Sequence, residues 1–228
     1  KTASFTVDGL RAVIFDFDGT LATLNVDFKS MRAGVLERIG SYGLPPEFFE
    51  GLFALEMVKA AERMISRSRP DHAARFRKDA LDFIRSTELA GARQGNVFAG
   101  VSDLFSRLRR MEISTGVITR NCRDAVSEMY PEIESHVGVV LTRDDVARVK
   151  PHPGHLMTAL ERLEREPAEA LMIGDHPMDI ASGKAAGTRT AGVPTGLSSR
   201  ESLVTAGCDV IFERVTELLE SGILEDAP

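Results

Sequence analysis

Two cysteines, Cys122 and Cys208, are all the chain has, and they stand far apart without metal-ligand spacing. A disulfide framework and a zinc site are therefore not indicated, and a reducing cytoplasm is the expected setting. No run among the 228 residues approaches the roughly 20 apolar residues of a membrane span, and the opening Lys1-Thr2-Ala3-Ser4-Phe5 lacks a signal peptide's apolar centre. Positive charge is also in deficit: 28 Lys and Arg face 34 Asp and Glu, a formal net charge of −6. A phosphate polymer or an anionic membrane surface would be repelled except at a local basic patch, so no nucleic-acid or membrane partner is expected and small-molecule chemistry is favoured.

What is present is a hydrophobic fraction of 43%, enough for one good core and a smaller accessory unit. Short, continuously apolar runs recur at Ala12 to Phe17, Thr115 to Thr119, Val137 to Leu141, Ala170 to Gly174, Thr188 to Val193 and Asp209 to Phe212. Unbroken apolarity predicts strands buried on both faces. Helical patterns lie between them, at Val101 to Arg110, Arg123 to Tyr130, Gly154 to Glu164, Met178 to Ala186, Arg200 to Ala206 and Val215 to Glu220. Such alternation predicts a parallel sheet covered on both sides.

The stretch from Asn25 to Ala90 breaks that rhythm. Phe28, Met31, Val35 and Ile39 mark one helical face, Phe48, Leu52, Leu55 and Val58 a second, and Phe76, Ala80, Phe83 and Thr87 a third, with Pro45-Pro46 and Pro70-Asp71 as helix starts. This predicts a helical insertion spanning 25–90 in a core made of 1–24 and 91–228. Its two links adjoin Thr20 and the segment Gly91 to Asn96, so a mobile lid over the chemistry is expected.

The chemistry starts at Asp16-Phe17-Asp18-Gly19-Thr20, directly after the apolar Ala12 to Phe15. Alternation along a strand would put Asp16 and Asp18 on one side, and Gly19 permits a turn there. Two like charges so placed need compensation, by a hard divalent cation with oxygen ligands or by a shared proton. A structural calcium loop would continue with further acidic residues, whereas Leu21-Ala22-Thr23-Leu24 follows.

In an open parallel sheet ligands collect beyond the carboxyl ends of the strands, so the residues after each run matter most. Thr119-Arg120-Asn121 offers a hydroxyl, an amide and backbone N–H groups that could cradle a phosphate. Lys150, fixed before Pro151-His152-Pro153, would neutralise a transferring phosphoryl group. Gly174-Asp175 places another carboxylate at a strand end, with Asp179 four residues on. Asp175 would complete a metal site with Asp16, leaving Asp179 to orient Lys150 or the metal's waters. His152, His155 and His176 suit transition metals better than a hard cation and read as wall or surface residues. Cys122 reads as a packing residue, since no base is indicated for a thiol nucleophile.

The order of these pieces resembles the haloacid dehalogenase-like superfamily, whose four motifs are matched by Asp16-Phe17-Asp18-Gly19-Thr20, Thr119, Lys150 and Gly174-Asp175 through Asp179. The layout is similar to the phosphoglycolate phosphatase-like branch, and Thr195 to Glu201 strengthens the likeness. Arg120 intervenes where the family often has Asn directly after the Thr, displacing that Asn to Asn121; Ala99-Gly100-Val101 stands for the branch's Pro-Gly-Val, and Asn25-Val26-Asp27-Phe28 for its Asp-Ser.

The resemblance implies an α/β fold, a doubly wound parallel-sheet core with a helical cap inserted after the first strand. It implies Asp16 as the nucleophile that forms an aspartyl-phosphate and Asp18 as the acid and base. Thr119 and Lys150 would join Gly19, Thr20, Arg120 and Asn121 around the phosphoryl group. Mg²⁺ would sit on Asp16, the backbone carbonyl of Asp18, and Asp175, with Gly174 and Asp179 in support.

Asp18 argues for phosphate over halide chemistry, and Thr20 fits the phosphatase pattern where mutases commonly have Val. The expected substrate is a small phosphomonoester such as 2-phosphoglycolate. The alternatives are a nucleotide, a sugar phosphate or pyrophosphate, a phosphosugar mutase, or a non-catalytic binding protein. The cap's basic run, Arg63, Arg67, Arg69, His72, Arg75, Arg77 and Lys78, is interspersed with Glu62, Asp71 and Asp79; it is a solvated face or a grip for a second anionic group. A monomer or homodimer is expected.

Overall fold

A computed structural model of the chain describes residues 9–23 and 25–224. The opening Lys1 to Phe5, and Leu24 at the end of the first motif's stretch, lie outside them. The chain divides into two compact units, residues 1–24 with 95–228, and residues 25–94.

The larger unit is built on a parallel sheet of six strands: β1 (Ala12–Phe15), β2 (Ser114–Ile118), β3 (Val139–Leu141), β4 (Ala170–Gly174), β5 (Arg189–Gly192) and β6 (Val210–Ile211). Their spatial order is β3-β2-β1-β4-β5-β6. The chain therefore starts in the middle, works outward through β2 and β3, then crosses to β4 and works outward on the other side. Between β1 and β4 the direction of winding reverses, which is where such sheets bind ligands. Register there is fixed by Phe15 beside Ile173 and continued by the Asp16 N–H, which donates to the Ile173 carbonyl at 2.8 Å.

The unbroken apolar runs are explained by two cores. Val13 and Phe15 enter the cluster on one face with Val117, Leu171 and Ile173, while Ala12 and Ile14 enter the other with Ile118, Leu141 and Met172. Helix α4 (Val101–Arg110) shows how the first face is covered: Val101, Leu104, Phe105 and Leu108 recur at helical spacing and are all buried, and Phe105 meets Phe15 edge-on at 5.5 Å. Helices α5 (Arg123–Met129), α7 (Gly154–Leu163), α8 (Pro177–Ala186) and α9 (Arg200–Thr205) fall where the apolar periodicity predicts them, and a single turn, α6 (Ile133–His136), was not foreseen. Val215–Glu220 is a 3₁₀ helix in place of the expected α-helix; its two buried residues, Val215 and Leu218, are three apart, which is the 3₁₀ repeat.

The smaller unit has its own core of α1 (Phe28–Gly40), α2 (Ala54–Ser68) and α3 (Pro70–Ala92). Asp27 caps α1 by accepting from the Ser30 N–H at 2.9 Å. Met31, Val35 and Ile39 are buried as predicted, whereas Phe28, one turn ahead, is exposed. The second face differs: Pro46–Phe49 is a 3₁₀ helix that buries Phe49 and leaves Phe48 exposed, and α2 begins only at Ala54. Arg32 secures this turn, its guanidinium donating to the carbonyls of Phe49, at 3.0 Å, and Leu52.

Candidate active site

Asp16 follows β1 and Asp175 follows β4, neighbouring strands on either side of the winding reversal, so the fold brings together two carboxylates separated by most of the core's sequence. Asp179 joins them from the first turn of α8. One oxygen from each of Asp16, Asp175 and Asp179 lies within 4.8 Å of the others, and all three residues are buried. Lys150 penetrates the same cluster, its Nζ 2.5 Å from Asp16 Oδ1 and 2.7 Å from Asp179 Oδ1.

Local structure explains why these side chains are fixed. Pro177 opens α8, and the His176 N–H donates to Asp179 Oδ2 at 3.0 Å while His176 Nδ1 accepts from the Met178 N–H at 3.1 Å. Asp179 thus caps its helix with one oxygen and holds Lys150 with the other. Gly174 is required by closeness: a Cβ there would fall 2.2 Å from Asp179 Oδ2. His176, expected as a wall residue, is a helix cap.

The electrostatics follow from burying three carboxylates around one ammonium. Burial foremost, then the charges of Asp16 and Asp179, push Asp175 up to about 9, against the pull of Lys150. Burial likewise raises Asp179 to about 6, opposed by Lys150. For Lys150, burial alone would lower the pKa, but the charges of Asp16 and Asp179 outweigh it and hold the group above the ordinary lysine value. Burial and crowding together disfavour the ionised carboxylates, which is the situation a bound cation relieves. Three hard oxygen donors in that state fit Mg²⁺ in both charge and ligand type.

Asp18 lies past the strand whose alternation is expected to place it. Strand β1 ends at Phe15, and a turn through Gly19, at φ +82°, follows. The Asp18 carboxylate instead accepts from the Thr119 hydroxyl at 3.1 Å and from Asn121 Nδ2 at 3.1 and 3.2 Å. Thr119 Oγ1 also accepts from the Asn121 N–H at 3.0 Å, so the two residues after β2 form one cradle for Asp18. Arg120, expected around the phosphate, donates from Nη1 to the Lys150 carbonyl at 2.5 Å. Thr20 is fully buried and its hydroxyl has no hydrogen-bond partner among the described residues.

Some residues around the site escaped sequence reasoning. Arg143 Nη1 donates to the Arg120 carbonyl at 3.2 Å, lacing the loop after β3 to the one after β2. Thr195 Oγ1 donates to the Gly19 carbonyl at 2.5 Å, and Gly196 abuts Asp175. None carries a charge pattern or spacing that marks it; Thr195 to Glu201 was legible only as a family likeness. His155 is fully buried with Nε2 3.2 Å from the Leu141 carbonyl, and burial, aided by the Lys150 charge, lowers its pKa to about 4. His152 is exposed and caps locally, its Nδ1 accepting from the Gly154 N–H at 3.0 Å. Cys122 is buried at the start of α5, as a packing residue would be.

In the smaller unit Arg63, Arg67, Arg69, His72, Arg75, Arg77 and Lys78 are all exposed. Arg77 pairs with Glu62 at 3.6 Å and Lys78 with Asp82 at 2.6 Å, while among the described residues Arg63, Arg67, Arg69 and Arg75 have no ion-pair partner. No helix of the described residues is long and apolar enough to cross a membrane.

Comparison with known proteins agrees with this architecture. Residues 13–193 match the family described as haloacid dehalogenase-like hydrolase. The chain is 31% identical over 226 residues to the pyrophosphatase PpaX of Bacillus cereus (strain B4264), covering 92% of this chain and 95% of that protein. It is 37% identical, with the same coverage, to the pyrophosphatase PpaX of Anoxybacillus flavithermus. A hydrolase from Pseudomonas syringae superposes with a TM-score of 0.67 at 22% identity, over 92% of this chain and 96% of that one, a likeness of fold. The chain belongs to the haloacid dehalogenase-like hydrolase family. Within it, the protein is an enzyme of the phosphatase kind.

Proposed function

We propose that the protein is a Mg²⁺-dependent phosphatase that cleaves a small phosphorylated metabolite through an aspartyl-phosphate on Asp16. The observation that carries this reading is the buried constellation after β1 and β4: Asp16 held at 2.5 Å by Lys150, with Asp175 and Asp179 within reach of the same point. Asp16, Asp175 and the Asp18 carbonyl would hold the Mg²⁺, with Asp179 beside them. When bound, the ion supplies positive charge that keeps Asp16 ionised and offsets the charge of the phosphate.

Lys150 orients Asp16 for in-line attack and takes up charge developing on the phosphoryl oxygens. Asp16 Oδ attacks phosphorus, the bond to the leaving oxygen breaks, and Asp18 delivers a proton to that oxygen. Asp18 then takes a proton from the water that attacks the aspartyl-phosphate and releases inorganic phosphate. The donors from Thr119 and Asn121 aim Asp18 while leaving it outside the three-carboxylate cluster. Thr119, Arg120, Asn121 and the backbone at Gly19 line the phosphoryl pocket in this reading.

The substrate is a small phosphomonoester of the phosphoglycolate kind; a second reading, inorganic pyrophosphate, is favoured by the named relatives. Substrate choice is assigned to the helical unit in this reading, because its Arg63, Arg67, Arg69 and Arg75, without ion-pair partners among the described residues, suit a second anionic group. The test is phosphate release from 2-phosphoglycolate, sugar phosphates, nucleotides and pyrophosphate, with Mg²⁺ or EDTA, beside Asp16→Asn. Turnover that needs both Mg²⁺ and Asp16 is expected. Turnover that survives EDTA or Asp16→Asn would overturn the mechanism, and unchanged preference after alanine replacement of each arginine would overturn the role given to the helical unit.

A further inference from the structure

Asp175 is confined by more than its own loop. A Cβ built on Gly19 would fall 2.6 Å from Asp175 Oδ2 and 2.9 Å from the Gly196 Cα, and one built on Gly196 would fall 1.7 Å from Asp175 Oδ2. The carboxyl therefore lies against bare backbone from two loops, one after β1 and one after β5, with no room for any side chain. The loops are tied by the Thr195 hydroxyl, which donates to the Gly19 carbonyl at 2.5 Å. Both ends of the tie are anchored: the Gly19 N–H donates to the Ala22 carbonyl at 2.8 Å, and the Val193 N–H donates to the Gly174 carbonyl, next to Asp175, at 3.0 Å.

We propose that the Thr195-Gly196 turn is a positioning device for the cation site, pressing the Asp175 carboxyl to where its oxygen joins those of Asp16 and Asp179 and so setting cation affinity. The inference rests on the Mg²⁺ reading above. Two further carboxyls crowd Asp175, and a short aspartate side chain could leave such a cluster by rotating about its own bonds. A backbone wall behind Asp175 removes that escape before the ion arrives, so the ordering cost is met in folding and not in binding. Thr195 and Gly196 touch neither the reacting groups nor the ion in this account; they act through Asp175 and Gly19.

The test is Mg²⁺ binding by titration calorimetry, and the rise in Tm with Mg²⁺, for wild type, Thr195→Val, Thr195→Ser and Gly196→Ala. Affinity is expected to fall about 10- to 100-fold in Gly196→Ala, the usual range for a partner of a metal ligand. Thr195→Val should move the same way and Thr195→Ser should stay near wild type, because serine keeps the donor. A second measurement needs no metal: in EDTA, Gly196→Ala should lower Tm in the wild-type background and lower it much less beside Asp175→Ala, which removes the clashing carboxyl. Wild-type affinity in both Gly196→Ala and Thr195→Val, or an equal loss of Tm in both backgrounds, would overturn the proposal while leaving the phosphatase reading intact. A wild type that takes up no Mg²⁺ would instead overturn the cation reading, and this proposal with it.

Discussion

The Thr119 hydroxyl and the Asp18 carboxylate, 101 residues apart in sequence, are joined by a 3.1 Å hydrogen bond. With Asn121 on the same carboxylate, Asp18 is held by neutral donors, whereas Asp16, separated from it only by Phe17, is held by the Lys150 ammonium. Two acidic residues of one motif are thereby given different surroundings, which is what a nucleophile and an acid-base group require.

That difference in surroundings distinguishes two amide substitutions. Asp18→Asn should leave Mg²⁺ affinity close to wild type and lower kcat by about 10²- to 10⁴-fold, the range for losing a general acid or base. Asp175→Asn should weaken Mg²⁺ binding itself. Calorimetric titration with Mg²⁺ beside steady-state kinetics separates the two; equal loss of affinity in both variants would contradict the assignment.

Lys150 is buried between Asp16 and Asp179. Removing one partner of such a cluster leaves uncompensated buried charge, so Lys150→Met should cost about 3–5 kcal/mol of stability in EDTA. Mg²⁺ should restore part of that loss, since the ion discharges the same carboxylates. Urea unfolding with and without Mg²⁺ measures both effects, and a stability equal to wild type in EDTA would show that the carboxylates do not depend on the lysine.

His155 gives a pH dependence of known sign. Its folded pKa, near 4, lies below the ordinary value of 6.5, so the unfolded chain binds more protons between those limits. The contribution is complete above about pH 6.5 and is lost as pH falls toward about 4, amounting to about 3 kcal/mol at full loss. The groups that act on it are Lys150, which lowers the pKa, and Asp16 and Asp145, which raise it. Asp175 and Asp179, raised in the fold, slope the opposite way, so the readout is the difference between wild type and His155→Gln. The variant should lose less stability between pH 7 and pH 4.5; parallel curves would contradict the burial argument.

In the helical unit, a Cβ on Gly34 would fall 2.2 Å from the tip of the Phe83 ring, which carries the Arg38 guanidinium 4.0 Å above it. Overpacking of this kind costs about 1–3 kcal/mol, against about 1 kcal/mol gained by replacing a mid-helix glycine. Gly34→Ala should therefore destabilise the unit, and a raised Tm would show that the ring yields freely.

Much of this architecture is written in local pattern. Ala170 to Gly174 and Val101 to Arg110 can be bounded from the sequence because their apolar periodicity is uninterrupted and their ends carry turn or charge signals. The positions of Asp16, Lys150 and Asp175 are legible for a related reason: each follows a run or a proline that fixes where it must emerge. Asp179, expected to orient Lys150, pairs with it at 2.7 Å, whereas the surroundings of Asp18 could not be read from the sequence. Strand alternation predicts that Asp16 and Asp18 stay together, but the strand stops at Phe15, and long-range donors on Thr119 and Asn121 decide where Asp18 points. Phe48 and Phe49 are equivalent in composition, and only the carbonyls bound by Arg32 show which turn of chain is buried. Gly196 is illegible because its role is the absence of a side chain beside a carboxylate met only in three dimensions.

The central claim is that Asp16 carries the phosphoryl group, and rapid acid quenching during turnover followed by peptide mass mapping tests it most directly. A phosphoryl adduct on the peptide containing Asp16, removed by hydroxylamine and missing in Asp16→Asn, is the predicted result. Phosphate release with no adduct at any quench time, at a rate that Asp16→Asn preserves, would contradict it.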